Sequence, residues 1–357
     1  MRVRDVSWCG FWIVSLLGAS LTSVAQQTGT TGGADDRHVV KLAVVVTEKS
    51  GKPVPNLEPQ SFAINDNGRP AKILSFRAPG GAAAAAEAAE PPVEIVLVLD
   101  EVNTNYEKVA YAQEGVRQFL LQNDGRLAHP VSLAFSVDSG LQMQKASSTD
   151  GKMLAEALQQ RGHAMRTIGR GALGGDQERL QISLRAMESL MAEEDKKPGR
   201  KLVIWVSPGW PLLSGPQTNL TTEQLQRVFN SVVLLSSGTR QAGMTLYSVD
   251  PLGGADAGGG RTTYYENFTK GVTKPSNAEL GDVGLQVLAE QTGGQVIFGN
   301  STIANSINRC VADLDATYQL SIEAAPAEKP NEFHSLTVKM ATPGLKARTR
   351  NGYYAQP

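Results

Sequence analysis

The feature that most constrains this chain is an alternation of short apolar runs with helical apolar stripes, which begins near Val93 and occupies over half of the sequence. Val93 to Leu99 is almost continuously apolar, as a strand buried on both faces is. Val109, Ala112, Val116, Phe119 and Leu120 then fall on one helical face. Val131 to Phe135, Leu202 to Val206, Met244 to Val249 and Val296 to Phe298 read as further strands. Helical stripes run through Met153, Leu154 and Leu158, through Leu180, Leu184, Met187 and Met191, and through Leu225, Val228, Phe229 and Val232. Thr221 and Gln224 form a capping box that opens the last of these. Gly293-Gly294 stops the helix carrying Leu285 and Leu288, and a final stripe contains Ile303, Ile307, Cys310, Val311 and Leu314. Such alternation predicts an α/β fold with an open, doubly wound, mainly parallel sheet and helices over both faces.

The flanks change period. Val40, Leu42, Val44 and Val46 alternate as one face of a strand, which Ser50-Gly51-Lys52-Pro53 ends. Phe62 to Ile64 and Ile73 to Phe76 follow, with the hairpin signal Asp66-Asn67-Gly68 between them. Tyr318 to Ile322 and Leu336 to Met340 alternate again near the other end. The expected organisation is a β accessory unit over 38–78, an Ala/Pro/Gly linker over 79–92, the α/β domain over 93–316 and a β segment over 317–357. The two terminal segments are expected to meet as one antiparallel β-sandwich. The linker has too little side-chain diversity to pack a core.

Arg2 and Arg4 precede an apolar run from Phe11 to Leu21, and Ser23-Val24-Ala25 supplies a small-x-small pattern, so residues 1–25 read as a signal peptide cleaved after Ala25. A polar stretch, 26–37, follows. No later run approaches the roughly 20 apolar residues of a membrane-spanning helix. The expected location is therefore secreted or periplasmic. Cys9 leaves with the leader, and Cys310 then has no partner for an intramolecular disulfide. Its helical spacing favours a small core-facing side chain over a reactive thiol. With 34 basic and 35 acidic residues among 357, the formal charge of -1 provides no bulk attraction to nucleic acid.

Val96-Leu97-Val98-Leu99-Asp100, an apolar strand ending in aspartate before a helix, resembles the opening of a von Willebrand factor A domain. Further stretches resemble the VWFA-related proteins of the acidobacterial type. They are Gly51-Lys52-Pro53-Val54 with Phe62, Gly68 and Ile73, Asp100 with Asn103-Thr104, Gly199-Arg200-Lys201 before Ile204-Trp205, Tyr247-Ser248-Val249-Asp250, Leu288 to Gly294, and Arg350-Asn351-Gly352-Tyr353. The resemblance implies a site at the carboxyl edge of the sheet, where the full motif holds Mg²⁺ through Asp-x-Ser-x-Ser, a distant threonine and a further aspartate. Here Asp100 stands for the first aspartate, Val102 for the first serine and Thr104 for the second. Valine has no oxygen to donate. No residue between Gly169 and Gln181 is a secure counterpart of the threonine, and Ser207-Pro208-Gly209 stands where an aspartate is expected.

Two readings of Asp100 stay open: a cap for the following helix or loop amides, or a rearranged Mg²⁺ or other divalent-cation site with Asn103, Thr104 or Asp250. Asp250 also fits a turn before Pro251. Trp205 fits the core. Trp210 fits either the core or an exposed partner anchor. The long connection from Pro251 to about Asp282, with Gly253-Gly254, Gly258-Gly259-Gly260 and Tyr264-Tyr265, leaves the same edge. Ser207, Trp210, Asp250, Tyr264 and Tyr265 are thus the candidate partner-binding residues. Nucleophile-elbow, P-loop and zinc-protease motifs are absent, and His38, His129, His163 and His334 lack ligand spacing. The reading is an exported, non-enzymatic module that binds a protein or other extracellular macromolecule. The alternatives are a hydrolase or other enzyme with an acidic site near Asp100 and Asp250, and a structural component of an envelope assembly.

Overall fold

A computed structural model describes residues 39–79, 91–161, 173–212, 220–251, 264–298 and 301–357. The leader, the polar stretch 26–37, most of the 79–92 linker, and the glycine pair and triplet after Pro251 lie outside the described residues. The chain first forms β1 (Val39–Glu48), β2 (Phe62–Asp66), β3 (Arg69–Pro70) and β4 (Ile73–Arg77). The α/β region runs β5 (Glu94–Asp100), α1 (Tyr106–Leu120), β6 (Arg126–Val137), β7 (Gly140–Met143), β8 (Ser148–Asp150), α2 (Gly151–Arg161) and α3 (Leu173–Glu194). It continues through β9 (Lys201–Val206), α4 (Thr222–Gln241), β10 (Met244–Asp250), α5 (Leu285–Gln291), β11 (Val296–Phe298) and α6 (Ile303–Ala312). β12 (Thr317–Glu323), β13 (Glu332–Met340), β14 (Leu345–Arg348) and β15 (Gly352–Ala355) follow.

The central sheet has the order β11-β10-β9-β5-β6-β7, with β8 also paired to β6. The strands from β11 to β6 are parallel, and β7 and β8 are antiparallel to β6. The two-residue period of β5 divides its side chains between two cores. Ile95, Leu97 and Leu99 pack with α1, α2 and α6, whereas Val96 and Val98 pack with α3, α4 and α5. Sheet and helices therefore form three layers. Cys310 is fully buried in the first core, and its thiol donates to the Ser306 carbonyl at 3.3 Å. Met153 departs from its expected stripe: α2 buries Leu154, Ala155 and Leu158, and Met153 is 41% exposed.

Local signals account for the element ends. Thr221 and Gln224 make the reciprocal capping box that opens α4. Asn105 caps α1 by accepting from the Lys108 amide at 3.0 Å. Gly293 follows α5 at φ +88°, and a Cβ on Gly294 would stand 1.7 Å from the Leu246 carbonyl oxygen, so both glycines are demanded by shape.

The flanking strands form two four-stranded sheets, β14-β1-β12-β4 and β15-β13-β2-β3. β1 pairs antiparallel with β12 from Val39↔Glu323 to Val45↔Thr317, and β13 pairs with β2. Val40, Leu42, Val44, Phe62, Ile64, Tyr318 and Leu336 contribute to one apolar core between the sheets. The Asn67-Gly68 turn forms as expected, with φ of 49° and 79°. The strands that it joins differ from the expectation. β2 pairs with the short β3, and β4 crosses to the other sheet beside β12. Pro70 ends β3 and has no N–H to extend that ladder.

One polar cluster sits inside the sandwich. Asp66 is 1% exposed, and its carboxylate accepts from the Tyr353 hydroxyl at 2.6 Å and the Ala325 amide at 2.7 Å. His334 Nδ1 lies 3.3 Å from the other carboxylate oxygen. Removing one partner from a buried polar cluster strands the rest. Asp66→Ala is therefore expected to lower stability in urea unfolding by about 3 kcal/mol, and a loss under about 1 kcal/mol would show that the cluster is no brace.

Candidate functional site

Asp100 ends β5 next to the point where chain progression through the sheet reverses, since β6 lies on one side of β5 and β9 on the other. In open α/β sheets this crevice at the carboxyl ends of the strands is where ligands bind. The strand period turns the Asp100 side chain toward the face covered by α3 and α4, together with Val96 and Val98. Asp100 is 2% exposed there.

Protein donors surround its carboxylate. Oδ1 accepts from the amides of Val102 at 3.0 Å and Asn103 at 2.9 Å. Oδ2 accepts from Ser207 Oγ at 2.7 Å, Asn103 Nδ2 at 2.9 Å and Trp205 Nε1 at 3.2 Å. Asn103 Nδ2 also donates to Ser183 Oγ at 2.9 Å, which ties the loop after β5 to α3. Ser207 Oγ in turn accepts from the Gly209 amide at 3.1 Å. The capping reading of Asp100 matches this geometry, with loop amides and side-chain donors in place of a free helix end.

The ion implied by the resemblance does not fit these residues. A hard divalent cation takes several oxygen ligands with free lone pairs. Both oxygens of Asp100 are directed at N–H and O–H donors, and the amide hydrogens of Asn103 occupy the space between Asp100 and Ser183. Val102 is buried and brings only methyl groups. Thr104 Oγ1 is buried with no hydrogen-bond partner among the described residues, but one hydroxyl beside a saturated carboxylate lacks the ligand number required. No group of three or more His, Cys, Asp or Glu side chains suited to a metal occurs among the described residues.

The five candidate partner-binding residues have different fates. Ser207 is fully buried and belongs to the Asp100 cluster. Trp210 is 3% exposed and meets Trp205 edge-on with ring centroids 5.3 Å apart, so it is a core residue rather than a surface anchor. Tyr265 is also buried, against Phe268, Val287 and Phe298, and desolvation pushes its hydroxyl up to about 12. Asp250 is buried at the end of β10, two strands from Asp100, or about 10 Å at ordinary strand spacing. Tyr264 is 39% exposed, stacked edge-on against Phe268. Sequence reasoning did not single out Tyr106, which is 65% exposed at the first position of α1. It also missed Ser183, whose signal was a small polar residue within the Leu180-to-Met187 stripe. Beside the rim, buried Glu101 pairs with Arg161, whose guanidinium lies 3.8 Å from the centroid of the Phe135 ring.

No protein-family model and no curated protein matches the chain. Among solved structures, a variant of the PilB minor pilin from Streptococcus sanguinis aligns over 65% of this chain and 64% of its own, at 8% identity and TM-score 0.31. The pilus adhesin SpaC from Lactobacillus rhamnosus GG aligns over 84% of this chain and 49% of its own, at 11% identity and TM-score 0.34. The TFIIH p34 N-terminal domain aligns over 61% of this chain and 96% of its own, at 10% identity and TM-score 0.28. The chain spans just under two thirds of the pilin's length and about half of the adhesin's. At these scores the likenesses carry no functional assignment.

Asp100→Ala strands five donors in the interior, so its unfolding free energy is expected to fall by about 3 kcal/mol or more. Mg²⁺, Mn²⁺ or Ca²⁺ should leave the melting temperature of both wild type and variant unchanged. A saturable rise in the wild type that the variant loses would mean that the carboxylate releases its donors to a cation.

Proposed function

We propose that the protein is an exported, non-enzymatic binding component, adhesion-like in character, which grips another protein at the carboxyl rim of a von Willebrand factor A-like domain without a divalent cation. With β8 left aside, since it pairs only with β6, the strand order β7-β6-β5-β9-β10-β11 numbers 3-2-1-4-5-6, the doubly wound order of two-sided α/β sheets, here with β7 antiparallel. That order and the place of Asp100 support the A-like reading. The observation that carries the binding reading is the pairing of a sealed acidic centre with exposed aromatics at the same rim. Tyr106 follows the Asp100 loop directly, and Tyr264 lies on the connection that packs against Phe298 at the carboxyl end of β11 through its neighbour Tyr265. Exposed tyrosines supply large, rigid contact area, as interface anchors do.

The enzyme alternative requires a nucleophile and a base near Asp100. Ser183 and Ser207 are fully buried and held by hydrogen bonds. Of the described histidines, His129 lies early in β6, away from its carboxyl end, and His334 lies in the sandwich core. The export reading rests on the leader pattern from Arg2 to Ala25.

The test is site-specific photo-crosslinking in the source cell. A photoreactive residue in place of Tyr106 or Tyr264 is expected to yield a discrete protein adduct, whereas the same residue in place of Leu234, 50% exposed on α4, should yield none. Equal adducts from all three positions, or none from the rim, would overturn rim binding. Adducts between two copies of this chain would instead favour an envelope-assembly subunit.

A further inference from the structure

At the end of the central sheet opposite Asp100, the starts of β9 and β10 face β1, β4 and β12 of the sandwich across a cavity of about 680 Å³. The described residues that line it include basic side chains and no carboxylate. Some of that charge is already balanced. Lys197 Nζ meets Glu194 at 2.8 Å and Glu94 at 3.1 Å, and Lys201 Nζ donates to the Glu194 carbonyl at 2.7 Å. Arg77 and Arg200 also have partners.

Arg240 and Arg350 differ. Neither side chain makes a hydrogen bond or ion pair with a described residue, and Arg240 Nε is buried without a partner. Arg350 is a buried residue, 8% exposed overall, and lines the cavity. Burial and the neighbouring charge of Arg240 pull it down to about 10. Thr349 Oγ1, on the same wall, is buried and also without a hydrogen-bond partner. Arg240 closes α4, where a cation complements the helix dipole. That role explains neither Arg350 nor the open hydroxyl. Two neighbouring like charges, Arg350 buried and Arg240 partly exposed, repel with no carboxylate on the lining, and a bound anion offsets both the desolvation of Arg350 and the repulsion.

We propose that this cavity is a binding site for a small organic anion, with Arg240 and Arg350 gripping its phosphate or carboxylate group and the Thr349 hydroxyl donating to the same group. Guanidinium forks match the geometry of either oxyanion. The volume falls in the range of small-molecule pockets, about 300–1,000 Å³. Exposed Lys41 adds positive charge to the lining, and the strand period turns Ser75, Gln319 and Ser321 to the same face as Lys41, so they offer polar wall for the rest of the ligand. The site is separate from the Asp100 rim and stands whether or not rim binding is correct.

The test is calorimetric titration of the mature chain with pyrophosphate and with citrate, at ionic strength fixed by chloride. Saturable binding of either is expected; pyrophosphate binding points to a phosphorylated ligand and citrate binding to a carboxylate. Arg240→Gln should weaken that binding about tenfold or more, since hydrogen bonds to charged groups are worth about 1.5–3 kcal/mol. Arg350→Gln should do the same, and if it does not fold, the partly exposed Arg240→Gln decides alone. Absence of saturable binding to both probes, or undiminished affinity in folded Arg240→Gln, would overturn the proposal.

Discussion

The pairing of β1 with β12 is the constraint on which the rest of the molecule depends. It joins strands from opposite ends of the chain, and the Tyr318 hydroxyl reinforces it by accepting from the Leu57 amide, 261 residues away, at 3.1 Å. The entropy of closing so long a loop is offset only once the intervening α/β region has folded and brought the ends together. β4 and β14 then add to the outer sides of this pair. Arg348, at the end of β14, reaches Asp313 and the Gly293 carbonyl, and the Tyr247 hydroxyl donates to Asp313 at 2.7 Å. Sandwich and central sheet are thereby stitched at the amino ends of the parallel strands.

At the opposite end, charge is handled within the loop itself. A buried carboxylate has to be neutralised or fully hydrogen-bonded. Asp100 is satisfied by two backbone amides, an indole, a hydroxyl and a carboxamide. The Asn103 carboxamide bridges Asp100 and Ser183, so the link between the β5 loop and α3 is made by hydrogen bonds. Such a centre is rigid and closed. Under the proposed rim binding, recognition falls to the side chains around this centre, among them the exposed Tyr106 and Tyr264.

The two ends of the sheet present opposite electrostatic problems. The rim buries a carboxylate with every donor it needs. The cavity is lined by buried Arg350 and partly exposed Arg240, neither of which meets an acceptor among the described residues. In the low dielectric of an interior the first arrangement holds itself together, and the second is the one that the proposed anion would complete.

Much of the architecture was legible in the sequence because it depends on near neighbours. The continuous apolar run of β5, the Thr221–Gln224 box, the Asn67-Gly68 turn and the Gly293-Gly294 stop all formed where periodicity and turn chemistry placed them. Partnership was not legible. The runs at Phe62 and Ile73 looked like two arms of one hairpin, yet they lie in different sheets, because strand period specifies faces and leaves the neighbouring strand unspecified. Trp210 and Tyr265 sit on connections, where exposure depends on what packs over them from elsewhere. Ser183 met Asp100 through Asn103, and Arg240 met Arg350, only when distant segments converged. The sequence by itself determined the local elements and the buried face of most of them, whereas the tertiary structure alone decided which polar groups meet and which are left open, since long-range packing has no periodic signature in the chain.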